Sequence, residues 1–305
     1  MKCLVRPPRW CEVEDALSES QGLLASAESD DAVAVGAWAL APTKRVVLGS
    51  LQRRARAVGT CPVAVARRGT TGTAACVDGG LLVSIALPSI DALFEDATAA
   101  TLLNRNVRPL LRGLAAAGIP CAYFGRDTLV WRRRPVFVLG LEVTRTGAVL
   151  VEAIASWRGP LRPPPEWCSD FERSLARDRG ASSASLSEIA GDARPAIELA
   201  RAAVAGMCDA IAADRTNVID RVAAPSTTPA PELELDVSEW LAPESVPIGA
   251  LDVGRTGSEP WVGGDLLAPS YALGHAVTAI DHGLPLIGAT WDDVARAARR
   301  AVATG

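Results

Sequence analysis

Between Arg67 and Pro88 the chain reads RRGTTGTAACVDGGLLVSIALP, which joins two arginines, a turn of small residues and an apolar strand within one short span. Gly and Thr in such a turn let backbone N–H groups approach a ligand closely, and successive amides there form a concavity that accepts anions. Arg67 and Arg68 add fixed positive charge beside it. The plain alternative is a solvated arginine pair entering a β-hairpin, because small-residue turns between strands are common.

The rest of the chain alternates helical and strand-like spacing. Val13, Ala16, Leu17, Leu23 and Leu24 recur with helical period and predict a first helix over Val13 to Ala25. AVAVGAWAL and RVVLGSL follow as short strands separated by Pro42 and Thr43, and PVAVARR leads into the arginine turn. A helical region runs from beyond Pro88 to a C-cap near Gly118, with a break or new first turn at Pro109. Val136 to Val143 and Ala148 to Ile154 form a hairpin, and Leu199, Ala203, Val204, Met207 and Ile211 mark a closing helix over Arg194 to Ala213. Two Pro-rich stretches, Gly159 to Trp167 and Ala223 to Glu234, punctuate this pattern, the second reading as a linker.

The order of these pieces carries a resemblance. Arg67-Arg68-Gly69-Thr70-Thr71-Gly72, Asp78, Gly80, the helix, Gly125-Arg126-Asp127, Val138-Leu139-Gly140 and Thr146-Gly147-Ala148-Val149-Leu150 follow one another as in the lipoate-protein ligase branch of the biotin and lipoate ligase family. Trp38 and VVLGSLQR (Val46 to Arg53) resemble that family's opening strands, so the resemblance runs from about Glu12 to about Ala213. It implies an α+β fold, a mixed β-sheet with flanking helices, over residues 1–221. It further implies activation of lipoate or octanoate with ATP and Mg, and transfer of the acyl group to a lysine of a lipoyl carrier domain. Carried over by position, Arg67, Arg68, Thr70, Thr71, Gly72, Thr73, Asp78, Gly80, Ser84, Gly125, Arg126, Asp127, Phe137, Gly140 and Gly147 line the ligand site.

The departures bear on activity, and no residue is assigned as catalytic. The family's lysine, three residues before the strand-ending Gly, corresponds to Phe137, and the only lysines of the chain are Lys2 and Lys44. Losing one preorganised group of that kind costs roughly 100- to 1000-fold in rate. Val77, Leu81 and Val83 stand where the family carries polar residues, which together with Phe137 points to a more apolar or differently shaped ligand. Three readings follow: a ligase in which Arg132, Arg133 or Arg134 supplies the charge, a ligand-binding or regulatory pseudoenzyme, or an octanoyltransferase using Cys121. Arginine replaces the charge of lysine but not its geometry, and a charge run such as Arg132 to Arg134 is more often a solvated turn. A catalytic thiol needs a nearby cation or helix N-terminus, whereas free cysteines are usually buried.

Beyond the linker, 222–245, the segment 246–305 reads as strand, turn, strand and two helices. It resembles the small α+β accessory domain of bacterial lipoate ligases, with Gly264-Asp265 and Leu286-Ile287-Gly288 in the matching places. His275 and His282 read as surface or helix-end residues. A length of 305 residues with 49% hydrophobic residues can build a sizeable core. The net charge of -4 gives no electrostatic basis for nucleic-acid binding. No apolar run reaches the roughly 18 residues of a membrane span, and the charged, proline-containing N-terminus lacks the apolar core of a signal peptide, so a cytoplasmic location is expected. Seven cysteines without CxxC or Cys-His spacing indicate neither a metal site nor a disulfide framework.

Overall fold

A computed structural model describes residues 2–175, 182–214, 219–222 and 234–303. The first element pair is β1 (Lys2–Val5) and β2 (Arg9–Cys11), followed by α1 (Val13–Asp30) and the long strand β3 (Ala32–Leu48). Then come α2 (Arg54–Ala57), β4 (Ala64–Arg67), β5 (Ala75–Leu87), α3 (Leu102–Asn106), α4 (Arg108–Ala116), β6 (Ala122–Tyr123), β7 (Thr128–Trp131), β8 (Arg134–Val143) and β9 (Val149–Ser156). Helices α5 (Asp170–Leu175), α6 (Leu186–Ala190) and α7 (Ala196–Asp214) and strand β10 (Ile219–Val222) complete the larger unit.

Its ten-stranded sheet runs β10-β1-β3-β5-β9-β8-β7-β6, with β2 and β4 also paired to β3. Pairings of β1 with β10 and with β3, and of β3 with β2 and β4, are parallel, while the rest of the sheet is antiparallel. The expected mixed sheet with flanking helices is therefore present. Period-two alternation sends one set of side chains to each face. Val33, Val83, Val151 and Leu139 pack with Leu110 and Leu114 of α4 and Met207 of α7, whereas Ala34, Leu82, Leu150 and Val138 pack with Leu17, Leu23 and Leu24 of α1.

Three local expectations change. The two strands on either side of Pro42 are one strand, β3, with a register shift between Leu40 and Lys44; a bulge there accommodates a residue that has no N–H to donate. The helical region after Pro88 is confined to α3 and α4, and Pro109 sits in the first turn of α4, where a missing N–H costs nothing. The first of the two helices expected within 246–305 is instead two 3-10 turns, Ser270–Ala272 and His275–Ala279, interrupted at Gly274 with φ +63°.

The C-terminal unit has its own sheet, in which β13 (Gly249–Thr256) pairs with β11 (Glu239–Trp240), β12 (Glu244–Val246) and β14 (Glu259–Gly264), covered by α8 (Trp291–Ala303). Since β11 and β12 begin at Glu239 and Glu244, this unit reaches into the segment expected to be linker; 223–233 lies outside the described residues. Arg56 joins the units: its Nε donates to Asp252 Oδ1 at 2.6 Å and its Nη2 to Asp265 Oδ1 at 2.8 Å, with Glu172 as a third carboxylate partner. Among the described residues no helix is long and apolar enough to cross a membrane.

Candidate functional site

The segment between β4 and β5 turns back onto the sheet instead of projecting from it. Ser50 N donates to Thr70 O at 2.9 Å, and Thr71 pairs with Leu141 as an isolated antiparallel bridge, laying the turn along β8. This close approach demands small residues. Gly72 has φ +127°, and a Cβ there would stand 2.5 Å from Arg68 Nη2 and 2.7 Å from Leu139 O. A Cβ on Gly140 would stand 2.2 Å from Thr70 Oγ1.

Beneath the turn, Gly36, Ser84, Glu152 and Gly140 are cross-strand neighbours in one row over β3, β5, β9 and β8. Thr70 Oγ1 donates to Glu152 Oε2, and Ser20 Oγ of α1 donates to Ser84 Oγ at 2.8 Å. Arg68, 1% exposed, donates from Nη2 to Thr73 O at 3.0 Å and Leu139 O at 2.9 Å. Burial lowers its guanidinium to about 10 against the attraction of Glu152. Burial likewise pushes the Glu152 carboxyl up, opposed by Arg68 and by hydrogen bonds from Ser20 and Thr70. Arg67 serves the backbone instead, its Nη1 donating to Gly49 O, Ser50 O and Gln52 O at 2.8 to 3.0 Å.

The turn also meets the loop before β7. Thr73 Oγ1 donates to Asp127 Oδ2 at 2.7 Å, and Arg162 Nη2 reaches the same oxygen at 2.6 Å. A cleft of about 910 Å³ opens beside them, with Arg126, Arg133, Arg162 and Ala74 on its wall and Ser245 to Gly249 of the C-terminal unit across it. On the other side, the hydroxyl of Thr71 accepts from Ala268 N at 3.0 Å, so the C-terminal unit closes over the turn.

The structure thus gathers Arg67, Arg68, Thr70, Thr71, Gly72, Thr73, Ser84, Gly140, Arg126 and Asp127 around one turn and its cleft. Asp78 and Gly80 are elsewhere: they form a kink in β5, where Asp78 N donates to Ser156 Oγ at 3.0 Å and Gly80 has φ +136°. Gly125 (φ +76°) is exposed before β7, and Gly147 (φ +98°) turns the β8–β9 hairpin. Phe137 is wholly buried in the cluster that faces α4 and α7, together with Leu81 and Val83. The apolar substitutions at Leu81, Val83 and Phe137 therefore line the core on the opposite face from the turn, and the row under the turn is polar. Strand parity decides this: Phe137 is three residues from Gly140 in β8, and Leu81 and Val83 are three and one from Ser84 in β5.

Of the three clustered arginines only Arg133 reaches the cleft. Arg132 and Arg133 occupy the left-handed positions of the β7–β8 turn, with φ 48° and 67°. Arg132 stacks on Trp131, and Arg134 pairs with Glu188 at 3.0 Å. Cys121 is pushed up to about 12 by burial, which holds it as the thiol. Arg162, Glu152 and Ser20 were not picked out by sequence reasoning; Arg162 sits in the Pro-rich stretch that looked like punctuation. Asp127 meets Arg162, Glu172 of the cleft wall meets Arg56, and among the described residues no three His, Cys, Asp or Glu side chains converge; a Mg ion carried by a nucleotide needs only one or two carboxylates beside phosphate oxygens and water.

No family profile matches the chain, and no curated protein matches it in sequence. Solved structures do match in fold. P. falciparum LipL1 in complex with lipoate gives a TM-score of 0.59 at 13% identity, over 87% of this chain and 85% of that one. The bi-partite lipoate protein ligase of Thermoplasma acidophilum, studied with its E2 lipoyl domain, gives 0.52 at 15% identity over 72% and 87%. A lipoate-protein ligase A bound with ATP gives 0.50 at 16% identity over 73% and 89%. The chain has the lipoate-protein ligase fold.

Proposed function

We propose that this protein binds an acyl group of the lipoyl or octanoyl kind, or its adenylate, between the 68–73 turn and the Asp127 cleft, and presents it to a lipoyl carrier domain if it is active. The observation that carries the reading is the hydrogen bond from Thr73 to Asp127, which joins the two motif segments beside a cleft of ligand size. Two of the structures that share the fold hold lipoate and ATP respectively. Arg126, Arg133 and Arg162 offer cations to a phosphate on the cleft wall.

Adenylation joins the acyl carboxylate oxygen to the α-phosphate and expels pyrophosphate; transfer then joins the acyl carbon to a carrier amine and releases AMP. Both steps develop negative charge, which a fixed cation stabilises. Lys44 stacks on Trp167 and Phe137 lies in the core, so the cations at the cleft include Arg126, Arg133 and Arg162, of which Arg162 also contacts the turn at Thr73. The engagement of Arg162 with Asp127 favours a second reading, that of a binding protein without turnover.

The test is to mix the protein with ATP, Mg, lipoate or octanoate and a lipoyl domain, and to weigh the carrier intact. We expect acyl-adenylate binding in the wild type that Gly72→Val and Asp127→Ala each weaken at least tenfold. Acylated carrier whose formation depends on Arg162 identifies a ligase; binding without acylation identifies a pseudoenzyme. Binding that both substitutions leave unchanged refutes the site.

A further inference from the structure

Two carboxylates line the cleft among the described residues, Asp127 and Glu172, and each is held by an arginine. The two pairs differ in what removal of the cation leaves behind. Arg56, whose side chain is 2% exposed, is shared by Glu172, Asp252 and Asp265, so withdrawing it strands three covered carboxylates at once. Arg162 stands on the cleft wall itself with its side chain 25% exposed, donating from Nη2 to Asp127 Oδ2 at 2.6 Å and from Nη1 to the hydroxyl of Thr73. Pro163, Pro164 and Pro165 follow it and fix φ along the arm, so a change of partner is a rotation of the Arg162 side chain alone. Thr73 Oγ1 donates to the same Asp127 oxygen at 2.7 Å and Leu139 N donates to the Asp127 carbonyl at 2.8 Å, which hold Asp127 in place when Arg162 turns away.

Resting on the proposed acyl site, we infer that Asp127 is the residue that receives the amine of the acyl acceptor, and that Arg162 covers it until a phosphate fills the cleft. A ligand phosphate brought beside Arg126 and Arg133 offers Arg162 a second partner that a guanidinium matches with two parallel hydrogen bonds. When Arg162 turns to that phosphate, the space it held against Asp127 opens, and a carboxylate parted from its cation faces the cleft where the amine arrives. In transfer the amine nitrogen forms the C–N bond, the acyl C–O bond breaks with its electrons on AMP, and one amine proton passes to Asp127 and on to solvent. Before a phosphate binds, the amine meets Arg162 instead, a like charge to its ammonium form.

The experiment titrates the full-length protein by calorimetry with octyl-AMP, which keeps the phosphate and lacks the reactive carbonyl, and then with a lipoyl carrier domain in its absence and presence. Octyl-AMP is expected to tighten carrier binding about tenfold, the effect of one charge-assisted hydrogen bond gained. A carrier whose target lysine is replaced by glutamine should lose that gain. Asp127→Asn, which keeps an acceptor for Thr73 but no charge, should lose it as well. Arg162→Ala uncovers Asp127 from the start and should bind the carrier without octyl-AMP as tightly as the wild type does with it. If Asp127→Asn fails to fold, the altered carrier and Arg162→Ala still decide. No gain with octyl-AMP, a gain that survives loss of the carrier lysine or of the Asp127 charge, or an Arg162→Ala variant that still needs octyl-AMP overturns the inference and leaves the acyl site standing. Failure of octyl-AMP to bind overturns the acyl site and the inference with it.

Discussion

Glu142 shows how one side chain ties stability to pH at the joint between the two units. Its Oε1 accepts from Ser270 N of the C-terminal unit at 3.0 Å, and burial pushes the carboxyl up to about 7 against that bond and one from Val143. Because the unfolded value is about 4.3, the protonated carboxyl contributes stability that is fully present below about pH 4.3 and is lost as pH rises through about 7. Urea unfolding of the wild type and of Glu142→Gln from pH 4.5 to 8 should therefore diverge, the glutamine variant gaining on the wild type as pH increases. A constant difference would place the titration elsewhere. Arg133 separates stability from binding. Its φ of 67° favours glycine, so Arg133→Gly is expected to raise stability by on the order of 0.5 kcal/mol, while weakening anion binding in the cleft; thermal unfolding and calorimetry read the two effects independently.

At the scale of elements, the turn and the sheet are fitted to each other through the missing side chain of Gly140. Gly140→Ala puts a methyl group 2.2 Å from Thr70 Oγ1 and should lift the turn, at a cost of about 1–3 kcal/mol. Hydrogen exchange at the Thr71 amide, now bonded to Leu141 O, should speed up if the turn lifts and stay slow if β8 yields instead. The turn itself was legible in the sequence, because arginines, small residues and an apolar strand in succession leave few alternatives. So were α1, the hairpin and α7, which carry clear periodicity. What escaped was which face each strand residue takes. Phe137 lies three residues from Gly140, an odd interval that sends it to the opposite face from the row under the turn, and the strand pattern alone does not say which face the turn covers. Arg162 escaped for another reason: its importance comes from reaching Asp127, 35 residues earlier, and no local pattern encodes that.

Over the whole molecule, the C-terminal unit is held by charge as much as by carbon. Arg56 is surrounded by Asp252, Asp265 and Glu172, and both aspartates are almost fully covered. Arg56→Met leaves those carboxylates without their cation and should cost about 3–5 kcal/mol; urea unfolding should become biphasic as the units separate. A single cooperative transition with unchanged midpoint would show that the apolar contacts suffice. The larger unit has a different dependence on completeness. Its β1 pairs with β3 on one side and on the other with β10, Lys2 lying opposite Ile219. During synthesis the early strand therefore emerges with one margin bare and waits for more than two hundred further residues before its last neighbour exists. Contacts so distant in sequence make folding slow, and a bare margin is a template for pairing with other chains. A nascent chain of this architecture thus carries an unpaired margin through the interval between its first strand and its last.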